Sequence, residues 1–292
     1  MTIRTMLVPL SGGAASEGTI ETACRLAQRF GAHIEALHVR ADPRESLPLL
    51  APDVSASVTD ELIAMAAKDS DERAAKARSA FDSVVSRHAL PLRDRPLGTG
   101  QAASDSPSAH WREETGEAAL IVPRRARLND LVILGQSGRV VDKPSTDLPE
   151  ETILHGGRAV LLAPVRPAAP IGEVVAIAWN GSVEAARAVA ASLPFLSQAR
   201  ETHILAAGDD DRSREDELAA YLAWHGIVAK GHRVRPLAGV GIGELLLATA
   251  REYGADLLVM GGYGHAPWRE MIFGGATRQV IGTSRLPVLL SN

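Results

Sequence analysis

The sequence feature that most constrains the fold is an internal repeat. The segment LNDLVILGQSG, which ends at Gly138, aligns with GADLLVMGGYG, which ends at Gly264. The positions identical in both copies are Asp130/Asp256, Leu131/Leu257, Gly135/Gly261 and Gly138/Gly264. The openings LSGG (Leu10–Gly13) and WNGS (Trp179–Ser182) also align. A chain of 292 residues that encodes one unit twice is expected to form two similar domains.

Short apolar runs, typical of buried strands, alternate with segments of helical periodicity in both copies. The runs are Met6–Leu10, Ile34–Val39, Asp130–Gly135 and Ala159–Pro164 in the first copy, and Val174–Trp179, His203–Ala207, Asp256–Gly261 and Pro287–Asn292 in the second. This alternation predicts βαβ units and a parallel sheet. Aromatic residues make up only 4% of the chain, which also favours parallel strands covered by Ala-rich helices over a β-sandwich.

The two copies are predicted to differ in length. A proline-rich segment, Pro164–Gly172, has the composition of a linker, so we predict domains at 1–167 and 168–292. The first copy carries extra chain between Asp42 and about Thr115, including a long helix that Thr59 or Asp60 would cap.

Charge and composition exclude several classes of function. The formal net charge is −4 without a block of like charge, which disfavours a nucleic-acid or membrane surface. No apolar stretch reaches the ~18–20 residues that span a bilayer, so we expect a cytoplasmic protein. The single cysteine, Cys24, is expected to be a buried apolar residue. The histidines show no metal-ligand spacing, and we place His225 and His232 in a helix-to-strand connection.

Glycines follow the third apolar run of the second copy, Asp256–Gly261. Gly261 is the last residue of this run, Gly264 comes after it, and nine residues separate Gly264 from Gly274. Glycines at the carboxyl end of a parallel strand let backbone amides approach an anion. Gly274 and Gly275 would then open a helix whose first amides favour a phosphate. The alternative is that these glycines only make tight turns for close packing.

This glycine spacing, after a fourth strand and in a repeated unit, resembles the nucleotide signature of the universal stress protein family. The chain resembles the tandem form, which has two such domains in one polypeptide. The resemblance implies two doubly wound, Rossmann-like sheets of the adenine nucleotide alpha hydrolase type, with strand order 3-2-1-4-5, packed as a pseudo-dimer. It implies binding of ATP or AMP, with Mg²⁺ as an option, in the C-terminal domain, and a role in stress signalling or protection rather than catalysis.

The resemblance also implies which residues hold the nucleotide. Ala178, Ala207 and Met260 would line the base pocket, and Asn180 stands where many members have an Asp that contacts the nucleoside. Asn180 is equally placed to cap the following helix. The phosphate residues implied are Gly261, Gly264, His265, Gly274, Gly275, Ala276 and Thr277. Gly275 replaces the Ser or Thr of the family, and Thr277 is close enough in sequence to supply a hydroxyl. His265 is equally interpretable as a solvated loop residue.

Three other interpretations stay open at this point. The first copy lacks the later glycines, so it is expected to serve as a scaffold, a dimer mimic or a site for another ligand. The whole chain could be a sensor or interaction module that binds no nucleotide. Alternatively, Ser11, Gly12 and Gly13 resemble the pyrophosphate loop of adenylating enzymes, although Ala15 replaces its acidic residue. The expected partners are an adenine nucleotide, the other domain of the same chain and, as an option, a second copy in a homodimer.

Overall fold

A computed structural model gives the architecture of the chain. The residues that it describes are 2–42, 56–96, 106–136, 148–166, 170–207, 215–235, 237–263, 277 and 279–292. The predicted boundary between 167 and 168 therefore lies outside the described residues, and the division into domains 1–167 and 168–292 stays a prediction.

Strands and helices alternate in both halves, as the apolar runs predict. The first half contains β1 (Thr5–Pro9), α1 (Ser16–Phe30), β2 (His33–Arg40), α2 (Ala56–Arg87), β3 (Ser108–Thr115), α3 (Ala118–Ala126), β4 (Leu131–Gly135), α4 (Leu148–His155) and β5 (Ala159–Ala163). The second half contains β6 (Val174–Trp179), α5 (Val183–Leu196), β7 (Glu201–Ala207), α6 (Glu215–Trp224), β8 (Ala229–Val234), α7 (Ile242–Glu252), β9 (Leu257–Gly261) and β10 (Val288–Ser291). Residues 279–283 are also helical.

All strands belong to one sheet, with the order β3-β2-β1-β4-β5-β10-β9-β6-β7-β8. Each half is thus a parallel sheet of order 3-2-1-4-5, which confirms the predicted topology. The halves meet where β5 and β10 pair antiparallel, with Leu161 opposite Leu289. The chain therefore pairs its own two domains edge to edge, as the expected pseudo-dimer requires.

The strand register confirms the repeat at the level of single residues. Met6 pairs with Leu131 in the first half, and the matching Val175 pairs with Leu257 in the second. The two repeated aspartates also make equivalent hydrogen bonds to backbone amides. Asp130 accepts from the backbone amide of Arg4 at 2.8 Å, and Asp256 accepts from Glu173 at 3.1 Å. Each carboxylate therefore satisfies amides at the start of the first strand of its own half.

Side chains near the ends of α1 and α5 also hold the halves together. Phe30 and Phe195 pack edge to face, with ring centroids 5.0 Å apart. Arg29 Nε donates to Gln198 Oε1 at 2.8 Å, and the same guanidinium donates to the carbonyl oxygens of Ile171 and Gly172. Apolar residues from both halves belong to both of the buried clusters that flank the sheet. The two halves therefore share both buried clusters rather than only touching.

Three expectations about elements were wrong. The edge strands β3 and β8 carry polar sequences and were not recognised, so His232 lies in β8 rather than in a connection. The long helix of the first half begins by Ala56, which places Thr59 and Asp60 inside α2 rather than at its cap. This helix has 32 residues, whereas its counterpart α6 has 10, so much of the extra chain of the first half is helical.

Cys24 is fully buried, as expected, and burial raises the pKa of its thiol to about 12. In the described part of the chain, none of the helices combines the length and the apolar character needed to cross a bilayer. The same residues include no group of three or more His, Cys, Asp or Glu side chains placed to hold a metal ion.

Candidate functional site

The expected base-pocket residues lie together at the carboxyl edge of the second half-sheet. Ala178 of β6 is paired with Met260 of β9, and both are buried, with exposed fractions of 9% and 5%. Ala207 is the last residue of β7, the strand on the other side of β6. The sheet thus places these three residues on neighbouring strands. Ala178 and Met260 also belong to a buried apolar cluster, so their burial is explained with or without a ligand.

Gly261 is required for packing. A Cβ at this position would lie 2.6 Å from the backbone nitrogen of Ala185, in the first turn of α5. The matching Gly135 of the first half is equally close to α1, because a Cβ there would lie 2.4 Å from Thr19 Oγ1. The close-packing interpretation therefore accounts for the first glycine of the motif in both halves, and this glycine alone does not distinguish them.

Two side chains stabilise the turn before α5: one caps the helix and the other forms a local turn. Ser182 is the N-cap, and its Oγ accepts from the amide of Ala185 at 3.1 Å. Asn180 is exposed, and its Oδ1 accepts from the amide of Ser182 at 3.1 Å, which forms a local turn. The alternative that Asn180 itself caps the helix is therefore wrong. Its side chain stands at the strand end where the nucleoside contact is expected.

Thr277 is the first described residue after the glycine-rich segment. It is buried, with 4% of its surface exposed, and its Cγ2 lies 3.7 Å from where a Cβ of Gly262 would be. The chain thus returns from the motif to a point beside Gly262. The remaining expected phosphate residues, Gly264, His265, Gly274, Gly275 and Ala276, lie outside the described residues.

A contact that the sequence did not reveal fixes the start of the glycine-rich segment. The amide of Gly262 donates to the carbonyl oxygen of Ser291 at 2.9 Å. Asn292 Nδ2 donates to the carbonyl oxygen of Gly262 at 3.1 Å and to that of Tyr263. Tyr263 adopts the left-handed conformation, with φ of 52°. No sequence pattern marks Asn292, because its partners are backbone atoms that β9 and β10 bring together.

The same edge of the first half is covered by its own helix. A Cβ on Gly12, which follows β1, would lie 2.2 Å from the carbonyl oxygen of Arg73 in α2. At the end of β2, Arg40 Nη1 contacts Asp71 Oδ1 at 2.6 Å, which holds α2 in place. The backbone of α2 therefore takes the space above the turn that follows β1.

This covering also bears on the pyrophosphate-loop hypothesis. The amide of Gly12 donates to Ser16 Oγ at 3.0 Å, and that of Gly13 donates to Ser11 Oγ at 3.2 Å. The amides that would bind a pyrophosphate are thus used within the loop, and Arg73 lies against it. This arrangement argues against adenylation at Ser11.

The halves also differ in titratable groups on matching strands. In the first half, Glu35 of β2 accepts from Arg125 Nε at 3.0 Å. At the matching position of β7, His203 is buried, and its Nδ1 lies 3.0 Å from Nε2 of His232, while the ring of Tyr253 stacks on both imidazoles. Burial lowers the pKa of His203 below its usual value; His232 adds to this lowering, and Glu201 opposes it.

The comparisons with known proteins give a family match in the second half and structural matches over the whole chain. Residues 181–292 match the universal stress protein family. The whole chain also resembles the crystal structure of a universal stress protein from Archaeoglobus fulgidus DSM 4304, with a TM-score of 0.68, 16% identity, and coverage of 99% of this chain and 98% of that one. A functionally unknown protein from Pseudomonas aeruginosa PAO1 has a TM-score of 0.57, 14% identity, and coverage of 99% and 92%. At these identities the structural likeness establishes the fold. Among curated proteins, none matches this sequence.

Proposed function

We propose that this chain, whose residues 181–292 belong to the universal stress protein family, binds an adenine nucleotide in its C-terminal domain. ATP or AMP is the proposed ligand, with Mg²⁺ accompanying ATP. The function is signalling or protection under stress rather than turnover, and the proposal assigns no catalytic residue. We further propose that the domains are 1–167 and 168–292 and that the protein acts in the cytoplasm.

One observation carries this proposal. The part of the chain that matches the family is the part that keeps the spacing of Gly261, Gly264 and Gly274. A spacing of this length is far more specific than two isolated glycines. Because Gly261 is explained by packing alone, the later glycines are the ones that point to a ligand.

The geometry around the motif supports the same proposal. Ala178, Asn180 and Met260 lie at the carboxyl ends of neighbouring parallel strands, where open α/β sheets bind their ligands. Residues 279–283 are helical, so a helix follows the last glycines, and the start of a helix favours an anion. Gly275 offers only its amide, and the loss of one hydroxyl donor weakens binding by about tenfold at most.

The competing proposal is an interaction module without a nucleotide. One observation favours it: Trp224 and Val228, close in sequence at the end of α6 and before β8, are exposed by 91% and 87%. Contiguous exposed apolar side chains mark contact surfaces in many proteins, and these two residues lie four positions apart in the sequence. A homodimer through this surface would be one form of such a contact.

Titration calorimetry with millimolar Mg-ATP separates the two proposals. Nucleotide binding predicts heat of binding and a higher melting temperature, and mass spectrometry of the untreated protein should detect bound ATP or AMP. If there is neither heat nor a thermal shift, the nucleotide proposal fails and the interaction module replaces it. An Asn180→Ala variant should weaken binding, whereas Ser11→Ala in the covered first half should leave it unchanged.

A further inference from the structure

We infer that Asn292 is a positioning residue for the nucleotide site, a role that rests on the proposed function. Its side-chain amide donates to the carbonyl oxygens of two consecutive residues, Gly262 and Tyr263, where β9 passes into the glycine-rich segment. A side-chain amide nitrogen can donate two hydrogen bonds, and both are used here. Asn292 therefore fixes the direction in which the chain leaves the sheet.

The contact with Asn292 stabilises an unfavourable backbone conformation of Tyr263. Its φ of 52° lies in the left-handed region, which a residue with a large side chain adopts only at a cost. The hydrogen bond from Asn292 to the Tyr263 carbonyl offsets this cost. Without it, Tyr263 is expected to relax toward the right-handed or extended region, and the following residues would leave the sheet in another direction.

The first half shows that this contact is not a general requirement of the fold. There the amide of Gln136 donates to the carbonyl oxygen of Ala163 at 2.8 Å, just as Gly262 donates to Ser291. The residue after Ala163 is Pro164, which has no side-chain donor. The backbone contact is thus common to both halves, and the side-chain contact belongs to the half that carries the glycine motif.

Gly262 lies beside side chains from both halves. A Cβ there would lie 3.4 Å from Leu290 Cδ2 and 3.7 Å from Ile153 Cγ2, the latter in α4 of the first half. Thr277 Cγ2 is the third neighbour, at 3.7 Å, so an added Cβ would make only ordinary van der Waals contacts there.

The test is a double-mutant cycle on Asn292 and Tyr263, measured as the dissociation constant of Mg-ATP. Asn292→Ala should weaken binding about tenfold, the equivalent of one or two hydrogen bonds. Tyr263→Gly allows the left-handed conformation without a side chain, so in that background Asn292→Ala should weaken binding less than about twofold. A purely structural role would give the same loss in both backgrounds, and that result would overturn the inference.

Asn129→Ala is the matched control. Asn129 Nδ2 also donates to a backbone carbonyl, that of Arg125, at 3.2 Å, and its side chain is buried in the first half. This variant should lower the melting temperature and leave the affinity for Mg-ATP unchanged.

Hydrogen exchange separates failure of the inference from failure of the proposed function. If the wild-type protein binds no Mg-ATP, the proposed function fails, and the exchange of the Gly262 amide still tests the contact. Asn292→Ala should speed that exchange about tenfold, because the Gly262–Ser291 bond then opens more often. If the wild type binds Mg-ATP while Asn292→Ala changes neither affinity nor exchange, only the inference is wrong.

Discussion

In the first half of the molecule, helix α2 lies against Gly12 at the carboxyl edge of the sheet, whereas in the second half the matching helix α6 has 10 residues instead of 32. Both half-sheets have the same strand order and nearly the same register. Among the described residues, the halves therefore differ in the length of this helix rather than in the order of the strands.

The largest expected effect tests whether α2 is firmly seated on the first half. Gly12→Ala places a Cβ 2.2 Å from the Arg73 carbonyl at a φ of 76°. Strain and overpacking together should lower the free energy of unfolding by about 3 kcal/mol, measured by urea denaturation. Gly157→Ala is the control, because its φ of 64° is similar but a Cβ would meet nothing within 4 Å, so it should cost about 1 kcal/mol. Equal losses in the two variants would show that α2 does not press on Gly12.

The second test compares the two glycines that begin the loops. Gly261→Ala brings a Cβ against the backbone of α5, and Gly135→Ala brings one against the Thr19 side chain. Each should cost about 2 kcal/mol of stability, with Gly261→Ala the larger because backbone yields less easily than a hydroxyl. Only Gly261→Ala should also weaken binding of Mg-ATP, as titration calorimetry would show. Weaker binding in the Gly135→Ala variant would contradict the assignment of the nucleotide to the second half.

A third test concerns the helix cap of the second half. Ser182→Ala removes the bond to the Ala185 amide and should destabilise the protein by about 1 kcal/mol in thermal or urea unfolding. The N-cap position of α1 is Ala15, which makes no side-chain capping bond, so Ala15→Gly removes no such contact and should cost less. A larger loss at Ala15 would reverse this comparison.

The smallest expected effect is the part of the pH dependence of stability that His203 contributes in the second half; burial also lowers the pKa of His33 in the first half. The pKa of His203 is lowered in the folded state, so the unfolded chain binds the proton more readily. The stability that His203 contributes is present above about pH 6.5 and falls as the pH drops below it. Glu201, Lys230, His232 and Tyr253 surround this group. His203→Gln should reduce the change in the free energy of unfolding between pH 7 and pH 5, measured by urea denaturation at each pH. The variant Glu35→Gln in the first half should leave this change as it is in the wild type.

The sequence predicted the strands of the core but not those at the edges of the sheet. The apolar runs predicted eight strands, because buried parallel strands are continuously apolar, and the resemblance to the universal stress protein family implied their order. The edge strands β3 and β8 escaped recognition because one side of each is left unpaired by the described strands and their sequences are polar.

The candidate site could be predicted only where it depends on spacing along the chain. Glycine spacing identified the motif, and the strand ends brought Ala178 and Met260 together as expected. The seating of α2 on Gly12, the His203–His232 contact and the Asn292 contact all join residues distant in sequence. Tertiary contacts of this kind leave no local pattern, so only the folded structure shows them.

The most direct test of the difference between the halves is photolabelling with 8-azido-ATP and Mg²⁺, followed by peptide mapping and determination of the stoichiometry. We expect saturable labelling of the protein by one nucleotide per chain, in peptides from residues 168–292, and protection from labelling by unmodified ATP. Saturable labelling in peptides from residues 1–167, or two nucleotides per chain, would contradict it.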